Sequence, residues 1–152
     1  MAVWQLDPRY EQPPAELREL LDLVLGDLQS SEPIAVQVGW DPHVDGPNGR
    51  PCPYLIFSEP GVVGGAGWTP DAPGVGAEEC GADFTPAALA VGLADYLQEQ
   101  FFPETVAAWG QARPRCPGHS HPAAPQLIDG DAWWTCPRDG HALARLGTLG
   151  SA

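Results

Sequence analysis

The chain has 152 residues and a formal charge of −13, from twenty carboxylates set against seven arginines with no lysine. That balance argues against a nucleic-acid or anionic-membrane surface, each of which needs clustered cations to displace counterions. Gly and Pro make up about a quarter of the residues, so long loops are expected, but six Trp and a 43% apolar content supply material for a core.

Acidity is concentrated in the front part: residues up to Ala112 hold seventeen of the carboxylates and three arginines, against three and four thereafter. No run of eighteen apolar residues exists, and the opening residues, with Asp7 and Glu11 and no basic apolar leader, do not read as a signal peptide. A cytoplasmic protein without a membrane segment is the expectation. There the four cysteines serve as metal ligands or buried thiols rather than as disulfides.

Pro13 and Pro14 suit the first turn of a helix, and Leu17, Leu20, Leu21, Val24 and Leu28 then recur at helical spacing. The pattern predicts an amphipathic helix over 14–29 with Glu16, Glu19 and Asp27 left for water. Ile34 to Trp40 reads as a strand with Ile34, Val36 and Val38 on one face, and Pro53 to Ser58 as a second strand. The Pro-, Gly- and Asn-rich segment from Asp41 to Pro51 joins them as a hairpin with a long loop.

In the Gly- and Pro-rich stretch from Gly61 to Gly81, Val62 and Val63 offer a strand extension and Trp68 an anchor that folds back. Thr85 is a good N-cap with Pro86 at N1, and Leu89, Leu93, Tyr96, Leu97 and Phe101 mark the buried stripe of a second helix. Pro103 breaks or kinks that helix, and Val106 to Trp109 adds a further turn. Residues 1–112 are therefore expected to be an acidic α+β domain of helix, hairpin, loop and helix, with the helices on one sheet face.

The tail reads Cys116-Pro-Gly-His119-Ser-His121-Pro and then Cys136-Pro-Arg-Asp139-Gly-His141. Two Cys-Pro turns, each followed by a potential ligand three and five residues later, suit a tetrahedral zinc site, because each turn makes its own ligands converge. Asp129-Gly130 favours a tight turn between Gln126–Ile128 and Ala132–Thr135, and that hairpin returns Cys136 beside Cys116. A module over 113–152 is too small to be stable by burial alone, so a structural zinc is expected to supply folding energy. Cys116, His119 and Cys136 are three ligands. The fourth is His141, with Asp139 and then His121 as alternatives.

These residues resemble a zinc ribbon, and together with Trp134-Thr-Cys136-Pro and the closing Arg145-Leu-Gly-Thr-Leu149 they resemble the tails of small actinobacterial proteins. The resemblance spans residues 113–150 and implies a structural metal rather than an activity. Neither turn has the second cysteine of a zinc ribbon. The expected function is a non-catalytic zinc-binding interaction or scaffold module with a protein partner.

His119-Ser-His121-Pro also resembles the core of the JAMM metalloproteases, which would make Asp131 a third ligand and imply attack of a metal hydroxide on a peptide or isopeptide carbonyl. That spacing to Asp131 is one residue short, and it leaves both cysteines unexplained. A third reading treats the acidic helix face as a nucleic-acid mimic that blocks a protein partner.

Three weaker motifs remain. The segment from Asp41 to Gly46 resembles the start of a calcium loop but has Cys52 where the bidentate Glu belongs. Gly61 to Gly67 is glycine-rich without the ordered phosphate fingerprint. Cys80 has acidic neighbours that disfavour a thiolate, which weakens a nucleophile role with His43 as its base. Cys52 and Cys80 could also pair or share a second metal.

Overall fold

The computed structural model describes residues 3–30, 32–43, 52–62, 64–70, 85–106, 108–109 and 111–149. Its elements run β1 (Gln5–Leu6), α1 (Ala15–Leu28), β2 (Gln37–Asp41), β3 (Tyr54–Ser58), β4 (Ala66–Trp68), α2 (Pro86–Tyr96), β5 (Ala124–Ile128), β6 (Asp131–Thr135) and β7 (Ala142–Arg145). Among the described residues no helix is long and apolar enough to cross a membrane.

The α+β class holds, but the helix-hairpin-helix arrangement does not. The front sheet has four strands in the order β1-β2-β3-β4, and the C-terminal sheet has three, β5-β6-β7, where a hairpin was expected. β1 precedes α1 and pairs in parallel with β2, Gln5 opposite Gln37 and Leu6 opposite Val38. Two residues are too few to carry a period-2 signal, so this strand is invisible in the sequence. The backbone nevertheless needs it, because an unpaired edge on β2 would leave its donors and acceptors without partners.

β4 closes the other edge and pairs Trp68 with Leu55, so Trp68 is indeed a buried anchor. The α1 stripe is buried as its spacing predicts, from Leu17 to Leu28. α2 starts on the Thr85 cap, whose hydroxyl accepts from the Ala88 N–H at 3.2 Å. It continues through a wider turn over Leu97–Phe101 and a tight turn over Phe102–Glu104, so the chain accommodates Pro103 at the start of that last turn.

Five consecutive α2 residues, Ala90 to Ala94, are buried. A helix buried all round must be covered on opposite faces. On one side Phe57 of β3 packs against Tyr96 and Phe101 with ring centroids 6.5 and 5.9 Å apart; on the other lie β5 and β6. The core is accordingly one cluster that joins Leu21, Val38, Phe57 and Leu93 to Ala123 and Trp134 of the C-terminal part.

Asp27, expected to face water, is instead buried, and so is Asp7. Asp27, near the end of α1, accepts the Trp134 indole N–H at 2.7 Å and the backbone N–H groups of Gly147 and Leu149 at 2.5 and 2.9 Å. Asp7, just after β1, accepts both Nε and Nη2 of Arg9 at 3.0 and 2.8 Å, while its own N–H donates to Val38 O at 2.9 Å. Cys52, at the head of β3, is disulfide-bonded rather than a thiol or ligand, so cysteine usage does not argue for a reducing compartment. Cys80 lies outside the described residues.

Asp27→Ala leaves three buried or half-buried donors without an acceptor, and should lower the unfolding free energy by on the order of 3 kcal/mol in urea titration. The Arg9 guanidinium holds the Asp7 carboxyl below its ordinary range, against the opposing effect of burial. A depressed folded-state value means that this stabilisation is present above the unfolded value and disappears as pH falls through the folded one. The stabilities of the wild type and Asp7→Asn should therefore converge on acidification from about pH 5 toward pH 2. A constant gap over that range would mean the ion pair contributes nothing.

Candidate metal centre

Each Cys-Pro turn closes with two backbone hydrogen bonds, of which the one from the cysteine N–H to the carbonyl five residues on is common to both. In the first, His119 N–H donates to Cys116 O at 3.0 Å and Cys116 N–H donates to His121 O at 3.1 Å. In the second, Gly140 N–H donates to Cys136 O at 2.6 Å and Cys136 N–H donates to His141 O at 3.0 Å. The first turn leads into β5 and the second connects β6 to β7. Asp129 and Gly130, with φ of 51° and 84°, form the expected tight turn, and the resulting register sets Ala124 opposite Thr135. Both Cys-Pro turns thus fall at the same end of the sheet.

There Cys116, His119, His121 and Cys136 converge, with their ligand atoms all within 4.8 Å of one another. His119 Nδ1 lies 3.3 Å from Cys116 Sγ and 3.6 Å from Cys136 Sγ. Zinc–sulfur and zinc–nitrogen bonds of about 2.3 and 2.0 Å at a tetrahedral angle place sulfur and nitrogen roughly 3.6 Å apart, so these contacts match the edges of such a site. Both thiols are buried. Burial pushes the Cys116 thiol pKa up, and the neighbouring Cys136 and Asp139 push it further, a cost that a bound cation would relieve.

His121 supplies the most specific observation. Its Nδ1 lies 3.1 Å from Pro122 O, a contact that assigns the ring proton to Nδ1 and leaves a lone pair on Nε2. That Nε2 is buried with no hydrogen-bond partner. Metal-bound imidazoles ordinarily donate their remote N–H to a carbonyl while the other nitrogen faces the ion. The His119 and His121 rings stack with centroids 4.6 Å apart.

Cys116, His119 and Cys136 are thus brought together as the sequence predicts. His141, expected as the fourth ligand, lies instead in a second group with Cys136 and Asp139, and His121 joins the first. The two turns are too alike for their spacing to separate the histidines.

Asp131 does not join either group. It stands at the opposite end of β6 from Cys136, roughly 16 Å away by strand rise, and pairs with Arg145 at 3.3 Å. The JAMM-like trio is therefore not assembled. His43 is exposed beside Glu11, with Nε2 and Oε2 3.3 Å apart, and residues 44–51, which hold most of the calcium-like loop, lie outside the described residues. Gly61 to Gly67 runs into β4 rather than a helix.

These features define an α+β protein with a Cys and His group able to hold a metal ion. No protein-family model matches the chain, and neither the curated proteins nor the solved structures contain a match. His121→Ala should lose the metal that survives desalting, whereas His141→Ala should keep it, as read by elemental analysis of the purified variants. Retention in the first and loss in the second would restore His141 as the fourth ligand.

Proposed function

We propose that the chain is a non-catalytic interaction or scaffold protein whose C-terminal sheet is stapled by zinc held by Cys116, His119, His121 and Cys136. The orphaned Nε2 of His121 carries the proposal, because a buried acceptor without a partner is costly unless something absent from the polypeptide satisfies it. Two thiolates and two imidazoles favour zinc over calcium or magnesium, which prefer oxygen. Four protein ligands close the coordination sphere and leave no position for an activated water. Sites of this kind contribute on the order of 10 kcal/mol to folding, enough to hold a sheet of three short strands.

An interaction role is supported by a cavity of about 380 Å³ between the two helices and the C-terminal sheet. Leu17, Leu20, Leu89 and Leu146 form its apolar floor, and Glu16 and Glu19 stand on its rim. Those carboxylates, added to the overall negative charge, suit an apolar partner segment that carries basic residues. Asp131, Ala132 and Arg145 form one wall. The groove is thereby complete only when the stapled sheet is docked.

Purified protein should carry about one tightly held zinc per chain, and Cys136→Ala should lose it along with the protease resistance of residues 113–149. Neither peptide nor isopeptide bonds should be cleaved by the loaded protein. Zinc retained in Cys136→Ala but lost in Asp131→Asn would overturn the structural reading in favour of the hydrolase.

A further inference from the structure

We propose that Cys136, Asp139 and His141 form a second, solvent-open site for a zinc-class divalent cation, with the Cys136 sulfur shared between this ion and the inner one. The proposal rests on the inner zinc described above, because the Cys136 sulfur belongs to both groups of ligand atoms. The three ligand atoms lie within 4.8 Å of one another, Cys136 Sγ 3.8 Å and His141 Nδ1 3.7 Å from the same Asp139 Oδ2.

Cys136 Sγ is within sulfur hydrogen-bond range of Asp139 Oδ2, so it is the imidazole–carboxylate separation that bears on two accounts of the trio. A hydrogen bond between imidazole and carboxylate would draw nitrogen and oxygen to about 2.7–3.2 Å, so the observed spacing is too long for a self-satisfied pair. The same atoms around one tetrahedral ion would stand roughly 3.4–3.6 Å apart, close to what is seen. The backbone supports the arrangement before any ion arrives: Gly140 takes a φ of 79°, its N–H is tied to Cys136 O, and Cys136 N–H is tied to His141 O. This turn sets the Asp139 and His141 ligand atoms beside the Cys136 sulfur.

Chemistry sets the ligand class. One sulfur, one nitrogen and one oxygen select zinc, cobalt or cadmium over the oxygen-seeking magnesium and calcium. With two thiolates neutralised by the inner ion, the Asp139 carboxylate supplies local negative charge, and the strongly acidic chain raises the cation concentration near its surface. The Asp139 and His141 side chains are 56% and 58% exposed, which leaves the outer ion open to water or to an external donor. Unlike the inner tetrad, whose two cysteines are buried, this ion is exchangeable, and the shared sulfur gives it a direct route to the inner position.

The test uses the full-length zinc-loaded protein titrated with Co²⁺, with absorbance and metal content followed together. The expected result is one cobalt bound while the zinc stays, a near-ultraviolet sulfur-to-cobalt charge-transfer band, and binding weakened roughly tenfold or more in Asp139→Asn and in His141→Ala. Both variants should retain the inner zinc. No cobalt uptake, uptake matched by loss of zinc, uptake without the sulfur band, or uptake unchanged in both variants would each overturn the outer site. Wild-type protein that holds no zinc at all would overturn the inner site, and the outer one with it.

Discussion

The arrangement of this protein depends on one buried carboxylate. Asp27 sits in the last turn of α1, where the helix dipole disfavours a negative charge, and it is almost fully removed from water. Three N–H groups offset that cost, and all three come from residues more than a hundred positions later in the chain. Trp134 is brought under α1 by its own indole bond and becomes the bulkiest fully buried side chain. With that sheet against one side and Phe57 on the other, α2 is enclosed.

Further polar ties reinforce the junction. The Gln98 amide donates to the carbonyls of Arg113 and Ala123 at 2.7 Å each, and Arg113, itself buried, donates to Leu28 O at 3.1 Å and lies over the Phe102 ring. These bonds hold the segments that enter and leave the first Cys-Pro turn. The β5-β6-β7 sheet is therefore anchored by polypeptide, and Ala123, Trp134 and Thr135 beside the two cysteines are buried while Asp131 at the far end of β6 is exposed.

The acidic balance also changes meaning once the contacts are known. Asp7 and Asp27 are buried structural acceptors, Asp22 accepts the Trp4 indole N–H at 2.8 Å, and Asp131 pairs with Arg145. Asp7 and Asp27 are thus consumed by the fold, whereas Asp22 and Asp131 remain exposed while they make these contacts. Glu16 and Glu19 remain on the groove rim, where charge acts on partner choice and encounter rate more than on fold.

The sequence alone determined the elements that advertise themselves by period or by turn chemistry. The Leu17–Leu28 stripe, the Thr85-Pro86 helix start, the Tyr54–Ser58 strand and the Asp129-Gly130 turn all arise from local preferences that act within a few residues. So did the convergence of Cys116, His119 and Cys136, because short rigid turns carry their ligands with them. Only the tertiary structure decided that Gln5–Leu6 is a strand, that β7 makes the C-terminal hairpin a sheet, and that Asp27 points inward. It also decided that His121 rather than His141 completes the first group. Each of these depends on a partner distant in sequence or on the side to which a ring turns, and residue spacing encodes neither.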